Sequence, residues 1–287
     1  MSNKMKRVNY NSKNHMNYRL LYSATMLITA PAFSHHINKD KAFEMVVENL
    51  SETAVSRSFL DNAFSHPDIT IHNDIADKFN SPWEKKEYPA YKKLFVTESR
   101  IAKGIAFYNQ NTMLIKAVAD SFGVDKYLIL SITGVESNYG VHHAQYTVFN
   151  ALYSIIHTLP RKEKWAAREL SDYLKLCYEN GMDPQDISGS YAGAFGYGQF
   201  IPSSFKHFSV DFDGDGVRHH MQWPDVLGSI ANYLKKNGYK GTDFSKDKPI
   251  WKSVWAYNHS ENYVRAVLEL REELKKNIEN PPADPGE

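Results

Sequence analysis

A single cysteine, Cys177, occurs in the 287 residues, which excludes an intramolecular disulfide framework. It follows Leu170 and Leu174 at helical spacing and reads as an inert core residue. Beyond the N-terminal leader, no stretch is apolar and long enough to suggest a transmembrane helix. Strict alternation of apolar and polar residues is absent at any length, which argues against a large sheet. Internal repeats and low-complexity tracts are missing too. No Gly-Lys-Ser/Thr follows the glycine-rich stretch near residue 190, which argues against a phosphate loop. His219 and His220, like His142 and His143, lack a second cluster at zinc-ligand spacing and read as surface groups.

The chain has 42% hydrophobic and 23% charged residues, the composition of an ordinary globular protein. Aromatics reach 13%, with 18 Tyr and 5 Trp, a richness that suits carbohydrate grooves and cores alike. The start is basic (Lys4, Lys6, Arg7, Lys13, Arg19), then apolar from Leu20 to Thr29, then Ala30-Pro31-Ala32. That order is a secretory signal peptide over 1–32, with export to the periplasm. No cysteine near the cleavage site offers a lipid anchor. Cleavage after Ala32 removes five basic residues and turns the net charge from +1 to −4. The basic character therefore reflects export, not nucleic-acid binding.

Helical periodicity organises the remainder. Ala42, Val46, Val47 and Leu50 suit one short helix, and Val55, Phe59, Leu60 and Phe64 another. Ser81-Pro82-Trp83 and Tyr88-Pro89 read as a loop-rich connection. Thr97 caps a helix whose face carries Ile101, Ile105, Tyr108, Thr112, Ile115 and Ala119 and which Gly123 closes. Asp125 caps the next. Ala151, Ile155 and Ile156 form a third, and Trp165 to Tyr178 a fourth that stops at Gly181. Ser229 to Leu234 and Tyr263 to Leu270 belong to later helices. The expected class is mainly α, with an N-terminal helical domain over 33–120, a core domain over 121–270 and a disordered tail over 271–287, Pro-rich from Asn280.

Three stretches carry chemistry. The first is Ile129 to Gly140, an apolar run bearing one acid, Glu136, near its end. A carboxylate sheltered from water holds its proton more tightly than a free one, which suits a general acid near neutrality; the alternative is a helix-end glutamate reaching into solvent. The second is Gly189 to Phe205, with too many glycines for a comfortable helix and too much apolar content for a linker. Glycines there permit close backbone approach to another element or a ligand. The third is Asp211-Phe212-Asp213-Gly214-Asp215-Gly216-Val217, which matches the start of an EF-hand calcium loop. Position twelve is Gln222 where that pattern has a bidentate Glu, and Asp225 can close a longer loop. An acidic turn without metal is the alternative.

In this order the segments resemble the lytic murein transglycosylases of the membrane-bound B type. The matching elements are Gly134-Val135-Glu136, Ser190 to Ser204, Asp211 to Gly216, Asp225 to Tyr233, and Tyr257-Asn258-His259-Ser260, and the similarity runs from about Tyr91 to Leu270. The resemblance implies a lysozyme-like helical core beside a second helical domain. It implies non-hydrolytic cleavage of the MurNAc-β-1,4-GlcNAc bond of peptidoglycan, leaving 1,6-anhydroMurNAc ends. Glu136 takes the place of the catalytic acid/base. Ser190, Gln199, Tyr233, Tyr257 and Asn258 match groove residues, and Arg161-Lys162 matches an Arg-Arg pair near the peptide side of the substrate. Asp211, Asp213, Asp215 and Asp225, with the carbonyl of Val217, match a structural Ca²⁺ loop, and no cofactor is needed for catalysis. The small β domain such proteins carry before Tyr257 has no room between Leu234 and Ala256, so it is reduced or absent. The expected partner is the glycan strand, engaged by a monomer with no membrane span. A hydrolytic muramidase and a lapsed peptidoglycan-binding protein are the competing readings.

Overall fold

The computed structural model describes residues 40–81, 86–141 and 144–281. The segment read as a signal peptide, His142, His143, Pro82 and Trp83 lie outside the described residues. Helices begin where a side chain can take up a free backbone N–H. Asp40 accepts from Phe43 N–H to start α1 (Lys41–Leu50), and Ser56 accepts from Phe59 N–H to start α2 (Arg57–Phe64). Short helices α3 (Asp74–Asn80) and α4 (Tyr88–Phe95) come next. Thr97 caps α5 (Glu98–Phe122), and Asp125 caps α6 (Lys126–Ser137). Gly123, at φ 62°, takes the left-handed turn that ends α5.

β1 (Tyr146–Thr147) pairs antiparallel with β2 (Ser188–Gly189), Tyr146 opposite Gly189. Between them lie α7 (Val148–Thr158), a 3-10 turn at Pro160–Lys162 and α8 (Glu163–Asn180). The chain ends with α9 (Pro202–Phe208), α10 (Trp223–Lys236), α11 (Pro249–Tyr257) and α12 (Glu261–Glu279).

α6 is the axis of the packing. Every residue from Tyr127 to Val135 is buried, because α5, α10 and α12 surround it. A helix apolar on all sides is stable only when enclosed in this way. A second layer pairs α7 with α8, and α1 lies across both. Phe149, Tyr173 and Leu174 are fully covered there.

Three expectations change. The boundary at residue 120 has no counterpart among the described residues, for α5, assigned to the first domain, packs on α6 and α10. The tail assigned to 271–287 is helical to Glu279. Arg271 is 6% exposed and Leu274 fully buried, and Arg271 donates to Asp125 at 2.9 Å. That ion pair and the burial of Leu274 hold α12 two turns beyond its expected end. Tyr88-Pro89 opens α4 instead of a loop, since proline in a first helical turn loses no hydrogen bond. The interval from Leu234 to Ala256 contains a turn-rich loop and α11. The only strands among the described residues are β1 and β2.

Candidate active site

Glu136 stands in the last turn of α6 and is half-buried. It lies between the two readings open in the sequence, neither sealed in the core nor free in solvent. The backbone just beyond it is unusual: Asn138, Tyr139 and Gly140 have φ of 49°, 60° and 92°. Asn and Gly tolerate the left-handed region, but a tyrosine there costs about 1–3 kcal/mol and needs its surroundings to hold it. Tyr139 is held by a slot between two helices. A Cβ at either Gly104 or Gly134 would lie 2.4 Å from its hydroxyl. The turn closes α6 by Asn138 N–H donating to Gly134 O at 3.0 Å and Gly140 N–H to Ser137 O at 3.1 Å. The end of α6, and Glu136 with it, is thereby kept from fraying.

Tyr263 donates its hydroxyl to Glu136 Oε1 at 2.5 Å. It sits in the first turn of α12, where Ser260 accepts from its N–H, and its ring is 2% exposed. Its ring stacks at 6.4 Å on Tyr257, and Tyr257 donates to Gly198 O at 2.6 Å. A continuous path thus runs from the acid to the glycine-rich stretch. Burial, and then the charge of Glu136, push the Tyr257 and Tyr263 phenols well above their ordinary range. Both remain neutral donors throughout the working pH range.

The glycine-rich stretch folds as tight turns. Ser190 Oγ accepts from the N–H groups of Ala192 and Ala194, each at 3.2 Å. Bridges join Gly189 to Phe195 and Phe195 to Phe200. Gly196 is irreplaceable, for a Cβ there would lie 2.4 Å from His220 O. Gln199 sits at φ 48° and donates its amide to Gly196 O at 2.9 Å. The far end is anchored by Glu169, which is 4% exposed and accepts from Ser203 N–H at 2.9 Å and Ser203 Oγ–H at 2.8 Å. Burial is the main reason its carboxyl is raised above the usual range.

The residues singled out by the sequence divide accordingly. Tyr257 lies on the path from the acid to the glycine-rich stretch, and Ser190 and Gln199 belong to that stretch itself. Asn258 is half-buried at the end of α11, and its carbonyl accepts from Ser260 N–H at 2.7 Å. Tyr233 is 8% exposed, donates to Ala256 O at 2.6 Å and packs 4.7 Å from Tyr257. It backs Tyr257 and presents little surface of its own. Arg161 is exposed and donates to Asn80 Oδ1 at 3.0 Å. Lys162 lies over Phe79 and Trp165, and Phe79 meets Tyr191 edge-on at 5.0 Å. The basic pair is therefore fastened to the wall beside the glycine-rich stretch. Tyr263 and Glu169 are the residues that periodicity alone hides. Tyr263 reads only as part of an apolar helix face, and Glu169 as one more acid on a charged helix.

In the acidic loop, carboxylate oxygens of Asp211, Asp213 and Asp225 all lie within 4.8 Å of one another. No Lys or Arg ion-pairs with the three among the described residues. Asp225 is 1% exposed and accepts from Phe212 N–H at 2.8 Å and His219 N–H at 2.6 Å. Asp211 accepts from Gly214, Asp215 and Gly216 N–H groups. Like charges drawn together without a basic partner fit a hard divalent cation, whose oxygen ligands sit about 2.3–2.6 Å from the ion. Asp215 stands apart from this trio. It accepts from Val217 N–H at 2.8 Å and lies 3.1 Å from His219 Nε2, and the Val217 bond is the main reason its carboxyl is lowered. Val217 itself is 43% exposed.

A family model described as the transglycosylase SLT domain matches residues 38–246. Membrane-bound lytic murein transglycosylase B of Escherichia coli K12 is 36% identical over 149 residues, 52% of this chain. The match spans 41% of that relative's length, less than half of it. The crystal structure of the soluble lytic transglycosylase SltB1 from Pseudomonas aeruginosa superposes with a TM-score of 0.73 at 27% identity, covering 82% of this chain and 98% of that one. Slt35 of E. coli, solved in complex with calcium, gives a TM-score of 0.75 at 23% identity over 84% of this chain and 94% of its own.

Proposed function

Because the chain belongs to the transglycosylase SLT-domain family, we propose that it cleaves the MurNAc-β-1,4-GlcNAc bond of peptidoglycan without water, leaving a 1,6-anhydroMurNAc end. The observation that carries this is the carboxyl of Glu136, held by Tyr263 and joined through Tyr257 to Gly198. None of the residues on that path is a second acid. A glycosidase that activates water or forms a glycosyl ester uses a pair of carboxylates. One carboxyl can serve if the substrate supplies the second nucleophile.

Protonated Glu136 donates to the glycosidic oxygen, and the C1–O bond breaks. The muramic acid acetamido oxygen relieves the positive charge at C1. The Glu136 carboxylate then takes the proton of the C6 hydroxyl, whose oxygen bonds to C1 and closes the anhydro ring. The acid returns to its starting form. Tyr263 donates to one oxygen, Oε1, and so fixes the carboxyl plane for both transfers. Tyr257 and Tyr191 offer aromatic faces to pyranose rings. Gln199 and Asn258 supply amides for sugar hydroxyls, and Ser190 shapes the turn beside them. Arg161 would pair with the stem-peptide carboxylates.

Asp211, Asp213 and Asp225 would hold Ca²⁺, which ties the acidic loop to the start of α10 and takes no part in the bond cleavage. The proposed location is the periplasm. No described helix is long and apolar enough to cross a membrane. The test is Glu136→Gln assayed on purified sacculi. The variant binds sacculi as wild type does and releases no anhydro-muropeptides; release at even one-tenth of the wild-type rate contradicts the assignment.

A further inference from the structure

Gly140, at φ 92°, ends the turn that follows Glu136. A Cβ there would lie 3.0 Å from Trp223 Cζ2 and 3.4 Å from Tyr197 Cζ. Glycine at this position both closes the turn and lets two rings come against it. Those rings stack on each other, 4.6 Å between centroids and 23° between planes. Phe107 of α5 meets Trp223 edge to face at 4.5 Å and supports the pair. Tyr197 also precedes Gly198, whose carbonyl accepts from Tyr257. The contacts from Glu136 through Tyr263, Tyr257, Gly198, Tyr197 and Gly140 therefore form a ring that returns to the turn after Glu136.

Core packing accounts for the stack but not for its polar atoms. Tyr197 and Trp223 are half-buried. Neither Tyr197 Oη nor Trp223 Nε1 has a hydrogen-bond partner among the described residues, and neither is sealed from solvent. Cζ2 and Nε1 are both bonded to Cε2, so the free indole N–H lies on the ring edge beside the Gly140 turn. Val141, next to Gly140, is 46% exposed, and Met221, two residues before Trp223, is 49% exposed. None of these four side chains is charged. The other end of the glycine-rich stretch is basic by contrast. There Tyr191 meets Phe79, Lys162 lies over Phe79, and Arg161 is bonded to Asn80.

We propose that Tyr197 and Trp223 form a shelf for the leaving N-acetylglucosamine and select it by its acetamido group. The inference rests on the bond cleavage proposed for Glu136 and names the residues that choose the leaving sugar. A strand cut at Glu136 must continue on both sides of the acid, and the two sugars differ in charge. Muramic acid carries the stem-peptide carboxylates and suits the basic end. N-acetylglucosamine is neutral and suits the end without charge. The C–H face of its pyranose covers the Tyr197 ring. Its acetamido carbonyl accepts from Trp223 Nε1–H, a group that can only donate, and a ring hydroxyl pairs with Tyr197 Oη. The acetamido methyl meets the exposed apolar side chains. Held in this way, the sugar presents the glycosidic oxygen to Glu136. When the C1–O bond breaks, that oxygen stays with N-acetylglucosamine and takes the proton of Glu136 to become its C4 hydroxyl.

The experiment uses the full chain and two substitutions. Tyr197→Ala removes the exposed face, and Trp223→Phe keeps a ring in the stack but deletes the N–H. Chitotriose, the trimer of N-acetylglucosamine, is titrated by NMR with maltotriose as control. Chitotriose alone is expected to shift residues 140, 141, 197 and 221–223, and Tyr197→Ala weakens its binding about threefold to tenfold. The second readout is discrimination. Wild type cleaves N-acetylated glycan faster than glycan whose glucosamine is N-deacetylated, and Trp223→Phe narrows that ratio about fivefold, the worth of one hydrogen bond. A merely structural Trp223 lowers both rates alike and leaves the ratio as it was. Equal shifts with maltotriose, unaltered chitotriose binding in Tyr197→Ala, or an unaltered ratio in Trp223→Phe overturns the proposal. Should Tyr197→Ala fail to fold, Trp223→Phe decides alone. A wild type that binds chitotriose on the shelf but releases no anhydro product would sink the cleavage reading and leave the shelf standing as a saccharide site.

Discussion

Tyr263 reaches across 127 residues of sequence to place its hydroxyl 2.5 Å from Oε1 of Glu136. That contact joins the first turn of α12 to the last turn of α6. Removing it by Tyr263→Phe takes away a hydrogen bond to an ionisable partner, worth about 1.5–3 kcal/mol. The expected outcome is a fall in kcat of about 10- to 100-fold with KM within threefold. Steady-state kinetics on a soluble glycan check it, and an unchanged kcat would mean that the carboxyl is oriented by something else.

The left-handed turn after Glu136 gives an opposite prediction for stability. The Tyr139 hydroxyl is buried with no partner among the described residues. Tyr139→Phe removes an unsatisfied group and leaves the ring in its slot, so the fold gains about 1 kcal/mol and turnover is unaltered. Gly134→Ala does the reverse. Its Cβ meets the Tyr139 ring and hydroxyl, and both Tm and activity drop. Thermal melts of the two variants separate these cases; a destabilised Tyr139→Phe would reveal a partner for that hydroxyl.

Chelation tests the acidic loop. With free Ca²⁺ a hundredfold above its Kd, binding stabilises the fold by about 2.7 kcal/mol, or roughly 5–10 °C in Tm for a chain of this size. Excess chelator abolishes that increment. Asp225→Ala removes the response altogether, whereas Asp215→Asn keeps most of it, because Asp215 lies outside the trio. Equal effects of the two substitutions would place Asp215 among the ligands.

Glu169 gives a pH dependence. Burial raises its folded-state carboxyl above the ordinary value of 4.5, so the fold prefers it protonated. Its contribution is complete below pH 4.5 and is lost as pH rises through the raised folded value. Glu169→Gln keeps an acceptor for Ser203 N–H and cannot ionise. Urea titrations on either side of that raised value should show the variant gaining stability relative to wild type at the higher pH. The opposite trend would mean that the Ser203 hydrogen bonds outweigh burial.

Much of this architecture was legible in the chain. The caps at Thr97 and Asp125 and the stop glycines at 123 and 181 are local signals, and local geometry obeys them. Glu136 stands out because an acid closing an apolar run is rare. Tyr263 could not be read in the same way. Its partner is 127 positions away, and a tyrosine on an apolar helix face looks like core. The same holds for Arg271 and Leu274, whose burial depends on Asp125 and Gly104 and not on their neighbours in sequence. Asp215 shows what spacing alone leaves open: its loop position suggests a ligand, and its carboxylate lies outside the trio of Asp211, Asp213 and Asp225.

The central claim is that bond cleavage involves no water. Digesting purified sacculi with the wild-type protein in H₂¹⁸O and weighing the released muropeptides tests it directly. Anhydro ends free of ¹⁸O are expected. Reducing ends carrying one ¹⁸O each would show a hydrolase and contradict the account.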